Sequence, residues 1–210
     1  MKKKFLTIFA SLLSCALFAQ SLNTSTLEGV CAALAAHPNT TGDFVQTKTL
    51  QANGRKLKSS GKYIICPEGI LWATEKPLPS SLILTKNTMV QISAKGTKSV
   101  MNGADNQIFS NISETLSSVF SGDAAALKKN FSCDFSMKDK GEWTLLLTPK
   151  DSTIASVMKT LELSGTSGLE TAMTKLVMSE ASGNSITYEF INQKYPEELS
   201  ADEKQNFVIE

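Results

Sequence analysis

SSGKYIICPEGILWATEKP, residues 59–77, is the stretch that decides the fold. β-branched and aromatic residues fill both halves, Pro67-Glu68-Gly69 supplies a tight turn between them, and Pro77 closes the second half. That pattern predicts two antiparallel strands, 56–66 and 69–76. Upstream, GDFVQTKTL at 42–50 is another strand-like run, and Asn53-Gly54 is a hairpin turn signal between it and the first strand. Downstream, Lys86-Asn87 and Lys95-Gly96 punctuate further short runs. The expected strands are 41–51, 56–66, 69–76, 81–85, 88–94 and 97–101, and the short spacings predict an antiparallel meander.

Ahead of the meander, Ser25-Thr26-Leu27-Glu28 matches a capping box. Leu27, Val30, Cys31 and Leu34 follow at helical spacing until His37-Pro38 ends the helix. Behind it the period changes. Ile108, Ile112, Leu116 and Val119 form one stripe flanked by Phe109 and Phe120, with Ser and Asn opposite. This predicts an amphipathic helix over 106–120, with a further turn or two at 123–128. Strands resume at 130–138 and 142–148. Pro149 and Asp151 open a short helix with Ile154, Val157 and Met158 facing inward. The last strands are expected at 159–164, 169–179 and 184–192, and the polar tail closes against the sheet through Phe207.

Many antiparallel strands interrupted by a few short helices predict a mainly β protein. The expected architecture is a single large curved antiparallel sheet, unclosed like a half-barrel, with short helices covering its concave face. Lys2, Lys3 and Lys4, the apolar run 5–13 and the small residues up to Ala19 have the layout of a secretory signal peptide. Extended over 5–19 the run has 15 residues, short of the roughly 20 that a membrane span needs. Cleavage after Ala19 leaves a length that fits one domain, 20–210. Leu12-Leu13-Ser14-Cys15 offers a second reading, lipid anchoring at Cys15. Export follows from either reading.

Removing residues 1–19 takes away three lysines and no acids, leaving 18 basic against 20 acidic residues and a formal charge of −2. No strong overall basic field remains, which disfavours nucleic acid and anionic membranes as partners. Cys31, Cys66 and Cys133 stay in the exported chain, an odd number. One disulfide among them and three buried thiols are both open. The single histidine, His37, sits beside a proline at a helix end. No Ser-His-Asp triad, His-rich metal site, C-x-x-C pair or glycine-rich phosphate loop is present. Asp134, Asp139 and Glu142 are interleaved with Lys138 and Lys140, the pattern of a solvated hairpin turn. The expectation is a protein without enzymatic activity, cofactor or metal, acting as a monomer.

Phe44-x-Gln46 after a short helix, Gly61 in a strand, Pro67, Leu71-Trp72, Pro77, Leu147-Thr148-Pro149, the 184–190 strand and Phe207 come in an order that resembles the periplasmic outer-membrane lipoprotein carriers of the LolA type. The resemblance covers most of 24–210 and is clearest at 42–85. It implies an unclosed antiparallel barrel whose apolar cavity holds the acyl chains of a lipoprotein. It also implies two partners, an inner-membrane release complex and an outer-membrane receptor. In the best-known branch an arginine precedes the strand-turn proline and helps to latch the lid; here that place is Cys66.

Alternation places Ile64, Cys66, Ile70 and Trp72 on one face of the hairpin, Leu82 and Leu84 on a face of the next strand, and Met89 on the one after. With the helical stripe Ile108, Ile112, Leu116 and Val119 these form the candidate cavity and lid for an acylated lipoprotein or lipid cargo. By pattern alone the same residues also fit a dry core. A periplasmic protein that recognises a polypeptide without lipid is the alternative function.

Overall fold

A computed structural model describes residues 24–102, 117–118, 123–168 and 170–208. The export signal, the lipidation reading at Cys15 and the stripe Ile108, Ile112, Leu116 and Val119 all fall outside them.

The chain opens with helix α1 (Leu27–Ala35) and runs through strands β1 (Thr40–Thr49), β2 (Lys56–Cys66), β3 (Gly69–Lys76), β4 (Ser80–Thr85), β5 (Thr88–Ile92) and β6 (Lys98–Asn102). Helix α2 (Ala124–Asn130) leads into β7 (Phe131–Met137) and β8 (Glu142–Pro149). The short helix α3 (Ser152–Ala155) precedes β9 (Met158–Ser167), β10 (Thr171–Glu180) and β11 (Ser185–Lys194), and α4 (Ala201–Gln205) is the last described element. All strands among the described residues join one 11-stranded sheet in the order β6-β5-β4-β3-β2-β1-β11-β10-β9-β8-β7. Every neighbouring pair is antiparallel. The sheet is therefore two meanders joined by one long-range pairing, β1 with β11, where Phe44 lies opposite Phe190 and Gln46 opposite Tyr188. It does not close, because β6 and β7 each pair on one side only.

Each end of these elements has a local cause. Thr26 caps α1, its Oγ1 accepting from the Gly29 N–H at 3.1 Å. The expected Ser25–Glu28 box is thus displaced by one residue, and the Glu28 carboxylate instead pairs with Lys128 of α2. Asp123 and Asp151 cap α2 and α3 in the same way. Met158 begins β9, so strand alternation buries it and turns Val157 out to 37% exposure, against the inward placement expected for Val157.

Both faces of the sheet bury apolar side chains. The inner face, covered by α1, α2 and α3, carries Phe44, Tyr63, Ile65, Ile70 and Leu84 from the first meander and Trp143, Leu145, Leu147, Leu161 and Leu163 from the second. Leu27, Val30 and Cys31 of α1, Leu127 of α2 and Ile154 of α3 meet them there. The outer face has a smaller cluster, Ile64, Cys66, Leu71, Ile83 and Val90, closed by Leu199 and Phe207 of the tail. Phe207 thus packs on the sheet, as the sequence suggested. The tail is anchored at α4 by a reciprocal cap between Ser200 and Glu203.

Gly61 shows how closely the strands approach. A Cβ there would sit 2.0 Å from the Ala73 carbonyl oxygen and 2.8 Å from the Thr74 Cα. It lies opposite Phe44 at the register shift between β2 and β3, where only glycine fits.

Candidate functional site

Register settles which face each candidate residue occupies. The Pro67-Glu68 turn sets Cys66 opposite Gly69, Ile65 opposite Ile70, Ile64 opposite Leu71 and Tyr63 opposite Trp72. Residues directly opposite share a face, so a two-residue turn exchanges odd and even positions between the strands. Ile64 and Cys66 therefore join the outer cluster with Leu71, not Ile70 and Trp72 as simple alternation suggested. Tyr63 and Ile65 take their place inside. The remaining pairs keep the expected side: Ile70 with Leu84, Trp72 with Leu82, and Leu84 with Met89. Ile70, Trp72, Leu82, Leu84 and Met89 all belong to the inner cluster.

A row of aromatic rings crosses this face. Trp72 and Tyr188 are 6.1 Å apart between centroids, Tyr188 and Phe44 5.8 Å, Tyr188 and Phe190 6.3 Å, and Phe190 and Tyr63 5.0 Å. Phe44 and Phe190 came to notice in the sequence only through the family pattern. Tyr63 and Tyr188 were missed, although their alternation with Ile65 and Phe190 is a readable signal. Burial pushes the Tyr188 hydroxyl above its ordinary value, so the ring stays neutral at physiological pH.

Cavities adjoin the inner face among the described residues. The larger, about 880 Å³, lies between the C-terminal end of α1, the β2–β3 and β4–β5 turns and the start of α2. Ala35, Pro38, Ile65, Ile70, Ser118 and Ala126 are among its lining residues, with Glu68 and Lys86 on the turns. Its size falls within the range of about 300–1,000 Å³ typical of ligand sites. The smaller, about 160 Å³, lies farther along the sheet against Phe44, Trp72, Leu82 and Tyr188.

Reactive chemistry is sparse here. The Cys66 Sγ–H donates to the Gly69 carbonyl at 3.5 Å, and burial pushes that thiol up to about 11. Burial also pushes Cys31 up to about 11. Thiols held protonated in this way are poor nucleophiles, and all three described cysteines are free. His37 stacks on Tyr195 with ring centroids 4.0 Å apart, which pins the start of the tail beside α1. Among the described residues no group of His, Cys, Asp or Glu could hold a metal ion.

An open sheet with helices on one face and an apolar, aromatic wall beneath them can be compared with known proteins. The model of the outer membrane lipoprotein carrier protein LolA family matches residues 38–205. The chain belongs to the LolA family. No curated protein matches it. Among solved structures it is similar to a LolA superfamily protein from Nitrosomonas europaea, at 8% identity and a TM-score of 0.44, over 84% of this chain and 96% of the other. It is similar to a DUF1329 family protein from Desulfovibrio piger at 12% identity and a TM-score of 0.48, over 84% and 93% of the two chains. MucB, in a structure with MucA(peri), is similar at 14% identity and a TM-score of 0.37, over 85% of this chain and 59% of the other. At such scores membership rests on the LolA family match, and this chain is a divergent member with the lipoprotein-carrier type of fold.

Proposed function

We propose that this protein is a periplasmic, non-enzymatic carrier. It shields the acyl chains of a lipoprotein or lipid on the inner face of its open sheet and delivers the cargo towards the outer membrane. The observation that supports this reading is the cavity of about 880 Å³ between α1 and the strand turns, lined in part by Ile65 and Ile70, two members of the inner cluster that also holds Leu84 and Met89. The proposed acyl-contacting set is Ile70, Trp72, Leu82, Leu84 and Met89, joined by Tyr63 and Ile65. Membership in a family described as outer membrane lipoprotein carriers supports it.

Physical chemistry also sets a condition on delivery. A methylene leaving water contributes about 0.8 kcal/mol, so a roughly 16-carbon chain gains about 12 kcal/mol on burial. A carrier that captured all of that gain would not release its cargo. Loading must therefore displace protein surface that is covered when the site is empty, and transfer depends on small affinity differences among donor, carrier and receptor. An inner-membrane release complex and an outer-membrane receptor are the partners this reading requires, with the carrier working as a monomer.

A second reading is recognition of a polypeptide. Among the described residues β6 and β7 each have one sheet neighbour, and such edges accept an added strand. Organic extraction of protein purified gently from cell envelopes, followed by mass spectrometry, separates the two. Near-stoichiometric acylated material supports the carrier. Extracts without lipid, together with equal affinity for acylated and unacylated forms of one peptide, would sink it in favour of the polypeptide reading.

A further inference from the structure

Charge is unevenly placed along this chain. Residues 40–102, which run from β1 to β6, hold nine Lys and Arg and three acids, a formal charge of +6 in a chain whose total is +1. Between residues 44 and 67 there are five bases and no acid. Register gathers part of this excess at one end of the sheet. Arg55, Lys56 and Lys58 lie at the tip of the β1–β2 hairpin, and Lys76, opposite Ser60, ends β3 beside them. All four are exposed, and among the described residues none of their side chains is in an ion pair. Two acids at this end are already engaged, Glu180 by Lys48 at 2.7 Å and Glu75 by Lys62 at 3.8 Å. The backbone at the same tip is open. β2 pairs with β1 from Lys56 onward, but its pairing with β3 begins only at Ser60. The Leu50 N–H donates to the Arg55 carbonyl at 2.9 Å. Alternation along an antiparallel ladder then turns the N–H and C=O groups of Lys56 and Lys58 away from β1, to the open side. Their side chains share the outer face with Ile64 and Cys66, along the same unbroken register with β1. Leu57 lies on the opposite face and is 43% exposed, and Leu78 of the β3–β4 turn is 68% exposed.

We propose that this open edge of β2 is a docking surface for an acidic polypeptide segment, which adds as a short antiparallel strand beside Lys56–Ser59. The inference does not depend on what the cavities hold. Backbone pairing supplies the register, and side chains supply the choice of partner. Side chains directly opposite on adjacent strands have Cβ atoms about 4.5–5.5 Å apart, so acids at alternate positions of the guest meet Lys56 and Lys58. The guest residue between them falls on the Leu57 side, where an apolar side chain covers exposed leucine. The recognised pattern is therefore acid, apolar, acid. Arg55 and Lys76 flank the guest and draw it in. Lysine on a strand edge also guards against self-pairing. The same two lysines repel the edge of a second copy, whereas an acidic strand removes that repulsion. An anionic membrane surface would match the charge but would leave the N–H and C=O groups of Lys56 and Lys58 unused, which favours the strand.

The test is fluorescence anisotropy of a labelled peptide that alternates Glu and Val, titrated with the full chain. Two control peptides accompany it. One carries Lys in place of Glu. The other is the Glu-Val peptide N-methylated at its Glu residues, whose N–H groups would face Lys56 and Lys58, so that charge stays and edge hydrogen bonding goes. Only the unmodified Glu-Val peptide is expected to bind. Lys56→Gln combined with Lys58→Gln should weaken it about tenfold, the effect of losing two cross-strand charge pairs. Lys138→Gln combined with Lys159→Gln makes the same charge change at exposed positions elsewhere and should leave binding unchanged. The N-methyl comparison uses the unaltered chain, so it decides even if a variant lowers the melting temperature. Equal binding of the N-methylated peptide, equal loss in the two double variants, or no binding of the Glu-Val peptide overturns the proposal. Phosphatidylglycerol vesicles are titrated in parallel. Vesicle binding that is lost in Lys56→Gln with Lys58→Gln, while no peptide binds, also overturns it and assigns the patch to a membrane surface.

Discussion

Ile83 and Leu84 are neighbours on β4 with nearly equal exposure, 6% and 5%, yet register sends them to opposite faces. Ile83 belongs to the outer cluster under the tail and Leu84 to the inner wall. Truncating either to alanine leaves a cavity in a packed cluster, at a cost of about 2–5 kcal/mol. In a chain of this size 1 kcal/mol lowers the melting temperature by roughly 2–4 °C. A cost near 3 kcal/mol therefore predicts a fall of about 6–12 °C for each variant, indistinguishable within error. Ligand binding should separate them. Leu84→Ala removes about two methylenes' worth of contact from the proposed acyl wall, close to 1.6 kcal/mol, or about tenfold in affinity. Ile83→Ala touches no part of that wall and should leave affinity unchanged. The assay pairs thermal melts followed by circular dichroism with titration of a fluorescent fatty acid at a temperature where both variants are folded. Equal loss of affinity in the two variants would refute the face assignment. Loss in Ile83→Ala alone would place the ligand under the tail.

Three further outcomes follow from particular contacts. Gly61→Ala drives a methyl group into the Ala73 carbonyl, so it should destabilise the β1–β2–β3 region far more than an ordinary strand substitution, measured as a lowered midpoint in urea. Hydrogen bonds from Lys48 and then Asn184 hold the Glu180 carboxyl below its ordinary 4.5. Its folded value is thus the lower one, and its stabilising contribution is present above about pH 4.5 and fades as pH falls through the folded value. Glu180→Gln should flatten the acid limb of the stability profile below that pH while leaving its shape near neutrality intact, and an unchanged acid limb would count against the ion pair. Finally, Cys31 and Cys66, buried and pushed up to about 11, should resist iodoacetamide at pH 8 in the native protein. Cys133, only half-buried, should be labelled first, and urea should equalise the three; early labelling of Cys31 or Cys66 would contradict their burial.

Local chemistry made most of the strand plan readable from the sequence. Turn residues with special backbone preferences bound each strand, so 56–66 and 69–76 agree with the observed β2 and β3 to the residue. The later strands are displaced by only one to three residues. Period-two alternation also put Ile70, Trp72, Leu82, Leu84 and Met89 on one common face: the β3–β4 connection keeps parity, pairing Ile70 with Leu84 and Trp72 with Leu82, and the two-residue Lys86-Asn87 turn exchanges it, pairing Leu84 with Met89. The same alternation failed at Ile64 and Cys66. Nothing in a run of consecutive apolar residues, Tyr63-Ile64-Ile65-Cys66, marks which of its two faces is inner, since both are buried.

What the sequence by itself determined, then, is the class of structure: an antiparallel β-rich chain with short capped helices and little reactive chemistry. Those properties live in turns, caps and residue types, all local. Tertiary structure alone decided which residues form the site. The pairing of β1 with β11 spans nearly the whole chain, and it is this contact that brings Phe44 and Trp72 against Tyr188 and Phe190. The tail's Leu199 and Phe207 choose the outer face, which leaves the inner one to the helices and the cavities. Such choices depend on which distant surfaces bury each other best, a sum over the whole core that no short window of sequence contains.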